Sequence, residues 1–177
     1  MNNKKSLLFL CLAFLIGSTL IAQEYQYIGA LKCKMCHNKP TTGQQYKKWS
    51  ELKHSKAMES LSSQASLDYA KANNIADPTK DPGCLKCHST LGSIDKSLNL
   101  SLTYEEGVSC ETCHGPGSKY KVMAIMKSRE KSIQNGLIIP DENLCKKCHN
   151  KENPFYKPFD YATAVKKIAH PIPEEDF

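Results

Sequence analysis

The sequence has 177 residues, a formal net charge of +6 and 24 basic residues, all lysine except Arg129. With one arginine and 8% aromatic residues, it lacks the arginine-rich face and stacking platforms of a nucleic-acid surface. A mean hydropathy of −0.48, and the absence of any long apolar run after the first two dozen residues, exclude a chain that crosses a membrane repeatedly.

The chain opens with Lys4 and Lys5, an apolar stretch over 7–16 and small residues ending at Ala22. That order is a secretory signal peptide, expected to be cleaved after Ala22. Read as an anchor, the apolar segment is short of the roughly 20 residues a span requires. Cys11 lies inside it behind Leu10, not the small residue of a lipoprotein site, and is discarded with it. The remaining domain, 23–177, is exported and periplasmic, with no stable membrane insertion.

A short extended lead-in over 23–28 precedes Cys33, Cys36 and His37. Periodicity predicts a helix over 42–62, with Tyr46, Trp49, Lys53 and Ala57 on one face and His54 within it, and a second helix over 66–74. A Pro- and Gly-rich turn over 77–83 delivers Cys84, Cys87 and His88. Thr103 stands three residues before Glu106, a capping-box spacing ahead of Cys110, Cys113 and His114. A long helix is predicted over 118–135, ended by Gly136, with Tyr120, Met123, Ala124 and Met126 on a broad face that would ordinarily be core. Cys145, Cys148 and His149 follow, then a loop of prolines and aromatics. The last helix spans 160–169, with Asp160 as N-cap, His170 after it and an acidic tail beyond.

After removal of Cys11, every cysteine falls in a Cys-x-x-Cys pair and none remains for a structural disulfide. Each pair is followed directly by histidine. One turn of chain presents two thiols to the two vinyl groups of a haem, and the next residue places an imidazole under the iron. Zinc knuckles also use paired cysteines but do not need that histidine. Only 6 histidines occur in the chain, so four placed by chance after four pairs is an event of about one in a million by composition. Four covalently bound haem c groups follow. They also supply the core that the low hydropathy withholds, which gives a mainly α fold of helices and loops wrapped around cofactors.

Four irons offer eight axial positions, and the motif histidines His37, His88, His114 and His149 fill half of them. The remaining histidines are His54 and His170. A helical His among lysines can simply be solvated, and one at a helix end can cap the dipole, but scarcity favours ligation for both. Met123 and Met126 are the other candidate donors; Met35 lies between two haem-bound cysteines and cannot reach an iron.

The segments YIGALKCKMCH, WSELKHSKAMESL, CLKCH, GVSCETCHGPG and the final CKKCH resemble those of the tetrahaem cytochrome c-554 family, electron acceptors of hydroxylamine oxidation in ammonia-oxidising bacteria. The resemblance implies a mostly helical fold, haems in close and partly stacked pairs, and a soluble periplasmic electron carrier with three bis-histidine irons and one five-coordinate iron. By family analogy His54 would ligate the third-motif haem and His170 the fourth. The family's third distal histidine lies soon after CHGPG, where residues 118–133 hold none. Either Met123 or Met126 coordinates the first-motif iron there, or that iron is open.

The expected function is electron transfer between redox proteins docked through a lysine-rich surface. No nucleophile or acid–base pair points to an enzyme. The alternative is reduction of a small molecule such as nitric oxide, nitrite or peroxide at an open iron; a docking module of a larger redox complex is a third possibility.

Overall fold

The computed structural model describes residues 25–170. The signal peptide over 1–22 and the acidic tail lie outside the described residues. Among those described, the chain is a succession of short helices: α1 (Ala30–His37), α2 (Gln45–Ser50), α3 (Gln64–Ala72), α4 (Pro82–His88), α5 (Thr90–Ser93), α6 (Cys110–His114), α7 (Met123–Met126), α8 (Arg129–Gln134), α9 (Glu142–Lys146) and α10 (Tyr161–Ile168). Single 3-10 turns intervene at Pro40–Thr42, Glu59–Ser62, Lys96–Leu98 and Tyr104–Glu106. Extended pairing is confined to one parallel bridge between Tyr27 and Asn99, so the fold is mainly α, as expected.

Helix starts follow the local sequence closely. Asp81 accepts from the Cys84 amide with Pro82 at the first helical position; Asp141 accepts from the Leu144 amide; Asp160 accepts from the Thr163 amide, the expected cap of α10. Each carboxylate satisfies an amide that has no partner inside the helix. Ser63 does the same for α3.

Two predicted helices are broken. The helix expected over 42–62 is helical only in α2 and in the turn Glu59–Ser62. The hydroxyls of Ser50, Ser55 and Ser60 donate to nearby carbonyls, which offers the backbone an alternative to helix. The His54 carbonyl meanwhile accepts from the distant Val108 amide at 2.9 Å. The helix expected over 118–135 divides into α7 and α8, because Ser128 adopts extended geometry and caps α8 at the Lys131 amide. At Thr103 the capping box does not form; Glu106 instead accepts from the Ala30 amide at 2.9 Å.

Few apolar side chains are buried: Ile28, Ala30, Leu61, Ala70, Leu85, Leu102 and Tyr120. The largest fully buried side chains among the described residues are instead polar: Glu111, Thr90, Ser89, Ser109 and Ser132. Thr90 sits at the centre of this polar cluster, hydrogen-bonded to Gly107, Ser109 and Thr112. Such a core is small and polar, so side chains alone bury little of the apolar area that ordinarily drives folding.

Candidate haem-binding sites

The four motifs are carried by α1, α4, α6 and α9. The first three helices hold both cysteines and the histidine of their motif. In the fourth, Cys145 ends in α9 while Cys148 and His149 follow in a turn. None of the eight motif cysteines is in a disulfide, and among the described residues no three His, Cys, Asp or Glu side chains converge to hold a bare metal ion.

Thiols of different motifs lie against one another. Cys33 and Cys110 lie close together, and their interaction lowers the Cys33 thiol and raises Cys110, the latter also by burial. Burial and Cys87 push Cys148 up to about 12, and burial with Cys145 nearby pushes Cys113 up to about 11. The first motif therefore adjoins the third, the second adjoins the fourth, and the third adjoins the fourth.

The histidines outside the motifs face histidines inside them. His54 and His149 have ring centroids 6.0 Å apart at 70°, and His170 and His114 are 5.9 Å apart at 47°. Two imidazoles on opposite faces of one iron, each bonded at about 2 Å, place their centroids about 6 Å apart, so both pairs fit a haem iron between them. The assignment is the reverse of the family analogy: His54 faces the fourth motif and His170 the third. The Val108 amide holds the His54 carbonyl on one side of the third motif, which leaves the ring to reach His149. Burial lowers His54, with a further push from His149, and it lowers His170, with help from His114 and His37. Both are thereby kept in the neutral form that ligates metal.

Hydrogen bonds orient two motif imidazoles. His88 Nδ1 lies 2.8 Å from the Ala57 carbonyl, and His114 Nδ1 lies 3.3 Å from the Ile138 carbonyl. A carbonyl accepts only, so Nδ1 carries the proton and Nε2 keeps its lone pair for iron. His170 Nδ1 is buried without a hydrogen-bond partner, a lack that a metal bound at that nitrogen would fill. Phe159 stacks on His149 at 4.8 Å and 13°.

Met123 is 55% exposed and Met126 half-buried, both in α7. No described hydrogen bond or ring contact joins either to His37. Beside His88 a cleft of about 200 Å³ is lined by Leu61, Tyr69, Ile75, Cys84, Cys87 and Phe155.

Sequence patterns missed Glu111. This residue, inside the third motif, is 1% exposed and accepts from the amides of Ile28 at 3.0 Å, Gly29 at 2.8 Å and Gly117 at 2.6 Å. It joins the third motif to the residues that lead into α1. The available signal was that Glu111 is the single acidic residue within any of the four motifs.

The family model Cytochrome c554 and c-prime matches residues 32–115. Cytochrome c-554 of Nitrosomonas europaea is 32% identical over 135 residues, 72% of this chain and 54% of that protein. The C-type polyheme cytochrome OmcC of Geobacter sulfurreducens is 27% identical over 115 residues, 43% of this chain and 15% of that protein. The chain spans about half the length of the first of these relatives and a much smaller part of the second. No solved structure matches.

Proposed function

We propose, from the premise that this chain belongs to the cytochrome c554 and c-prime family, that it is a periplasmic tetrahaem electron carrier working between redox protein partners. Membership makes it an electron-transfer cytochrome with covalently bound haem c. The count of four rests on the four Cys-x-x-Cys-His motifs, and export on the signal-like residues 1–22.

The observation that carries the reading is the paired histidines at 6.0 and 5.9 Å. Haem bound at such sites cycles between ferrous and ferric iron. The chain anchors each group through two cysteines, fixes the imidazole tautomer at His88 and His114, and holds His54 and His170 neutral opposite their partners. The contacts between motifs support an electron path running from the first motif to the third, then to the fourth and the second.

Reduction of a small molecule is a second reading, favoured by the cleft beside His88. Its walls present Leu61, Tyr69 and Phe155, and no histidine outside the motifs faces it.

Mass spectrometry of the exported protein tests the cofactor count: the expected mass is that of residues 23–177 plus four haems, and three or fewer overturns it. Rapid full reduction by protein donors, with no turnover of nitric oxide, nitrite or peroxide, is the result expected of a carrier.

A further inference from the structure

Helix α1 carries an apolar stripe that no side chain covers. Leu31 is 64% exposed and Met35 is 67% exposed. At 3.6 residues per turn these two stand about 40° apart around the helix and about 160° from Cys33. A haem held by Cys33 and Cys36 therefore lies on the other side of α1 and leaves the stripe open. Lys32 and Lys34 flank it, one on each side, and both are exposed.

The charge around the stripe is one-sided. Residues 29–58 contain seven lysines and a single carboxylate, Glu51, an excess equal to the net charge of the whole sequence, so the rest of the chain is neutral on balance. Lys39, Lys47 and Lys48 extend the exposed basic surface beyond α1. Lys34 is held in place, its Nζ 5.3 Å from the centroid of the Tyr46 ring. An apolar centre ringed by lysines matches the anatomy of a transient protein interface, in which charge steers the encounter and a small desolvated patch seats it.

The face also adjoins the redox machinery. Cys36 is exposed, whereas the other seven motif cysteines are partly covered. Tyr46 packs against Trp49 at 5.3 Å, and Trp49 Nε1 donates to the Val108 carbonyl at 2.9 Å, two residues ahead of the third motif. Cys33 in turn lies close to Cys110.

We infer that the α1 face, centred on Leu31 and Met35, is the docking surface for an acidic electron-transfer protein, and that electrons enter or leave this chain at the first motif. The inference rests on the electron-carrier reading and adds the place and the charge of the partner.

The test follows reduction of the intact ferric holoprotein by a reduced acidic flavodoxin in a stopped-flow instrument, at low and high salt. Lys32→Glu with Lys34→Glu should slow the second-order rate about tenfold at low salt and flatten its salt dependence. Leu31→Ser with Met35→Ser should slow it at both salt concentrations. A matched charge reversal on α10, Lys166→Glu with Lys167→Glu, should change the rate less than twofold. Dithionite should reduce every variant at the wild-type rate, which shows the haems intact. Equal slowing by the α1 and α10 reversals, or unchanged rates in the α1 variants, overturns the docking face while leaving the carrier reading in place. A wild-type protein that dithionite reduces and flavodoxin does not overturns both.

Discussion

His54 and His149 face one another across 6.0 Å, with their rings 70° apart, although 95 positions separate them in the chain. This spacing leaves room for one iron, and with the matching approach of His170 to His114 it sets the two non-motif histidines opposite those of the fourth and third motifs. Replacing His54 by Ala should convert one low-spin haem to high-spin, and combining it with Cys145→Ala and Cys148→Ala, which remove the fourth haem, should abolish that high-spin signal. The same holds for His170→Ala with the third motif. Electron paramagnetic resonance of the ferric protein reads both. An unchanged spectrum in a single variant removes that histidine from the ligand set.

Gly107 sets the position of His54. Its φ of +64° is in the left-handed region, and an added Cβ would stand 2.6 Å from the His54 carbonyl. Gly107→Ala should therefore cost about 1–3 kcal/mol and displace His54 by disturbing the bond between the Val108 amide and the His54 carbonyl. Part of the low-spin signal lost in His54→Ala should be lost here too. A variant with a lower melting temperature and an intact low-spin spectrum would show that Gly107 serves the fold alone.

Glu111 gives a pH signature. Burial pushes its carboxyl above the ordinary range, against the pull of the amides of Gly117, Ile28 and Gly29. A raised carboxyl binds more protons folded than unfolded, so its contribution to stability is largest at low pH and declines as pH rises from the ordinary carboxylate value to the raised one. Glu111→Gln should abolish that slope. It should also destabilise the protein by on the order of 3 kcal/mol at neutral pH, because an amide nitrogen would then face backbone donors. Denaturant melts between pH 4 and 8 measure both effects.

Met123 and Met126 are the remaining candidate donors for a haem at the first motif. Replacing both with Leu keeps volume and removes sulfur. With Met123 exposed and neither methionine joined to His37 by a described contact, the expected outcome is an unchanged high-spin fraction and unchanged carbon monoxide uptake. A rise in either would establish thioether ligation.

What the sequence made legible is what lies within a few residues. Haem attachment needs two thiols and an imidazole in five consecutive positions, so all four motifs stand out, and the Asp160 cap of α10 depends on an amide three residues away. Helix continuity over 42–62 and 118–135 was misjudged where serines and a cross-chain bond to the His54 carbonyl decide the backbone. Which histidine faces which motif was likewise beyond local reading, as was the role of Glu111, whose partners at Ile28 and Gly29 are 83 and 82 positions away.

The Glu111 clamp has a consequence for the order in which the molecule is completed. Closing a loop of 83 residues costs about 4 kcal/mol in chain entropy, about what the two charge-assisted bonds from Ile28 and Gly29 return. The clamp alone is therefore marginal, and it closes stably once covalent attachment at the first and third motifs has brought α1 and α6 together. It is therefore a late latch on maturation: the amides of Ile28 and Gly29 should exchange hydrogen freely in chains that lack either haem and become protected once both are in place.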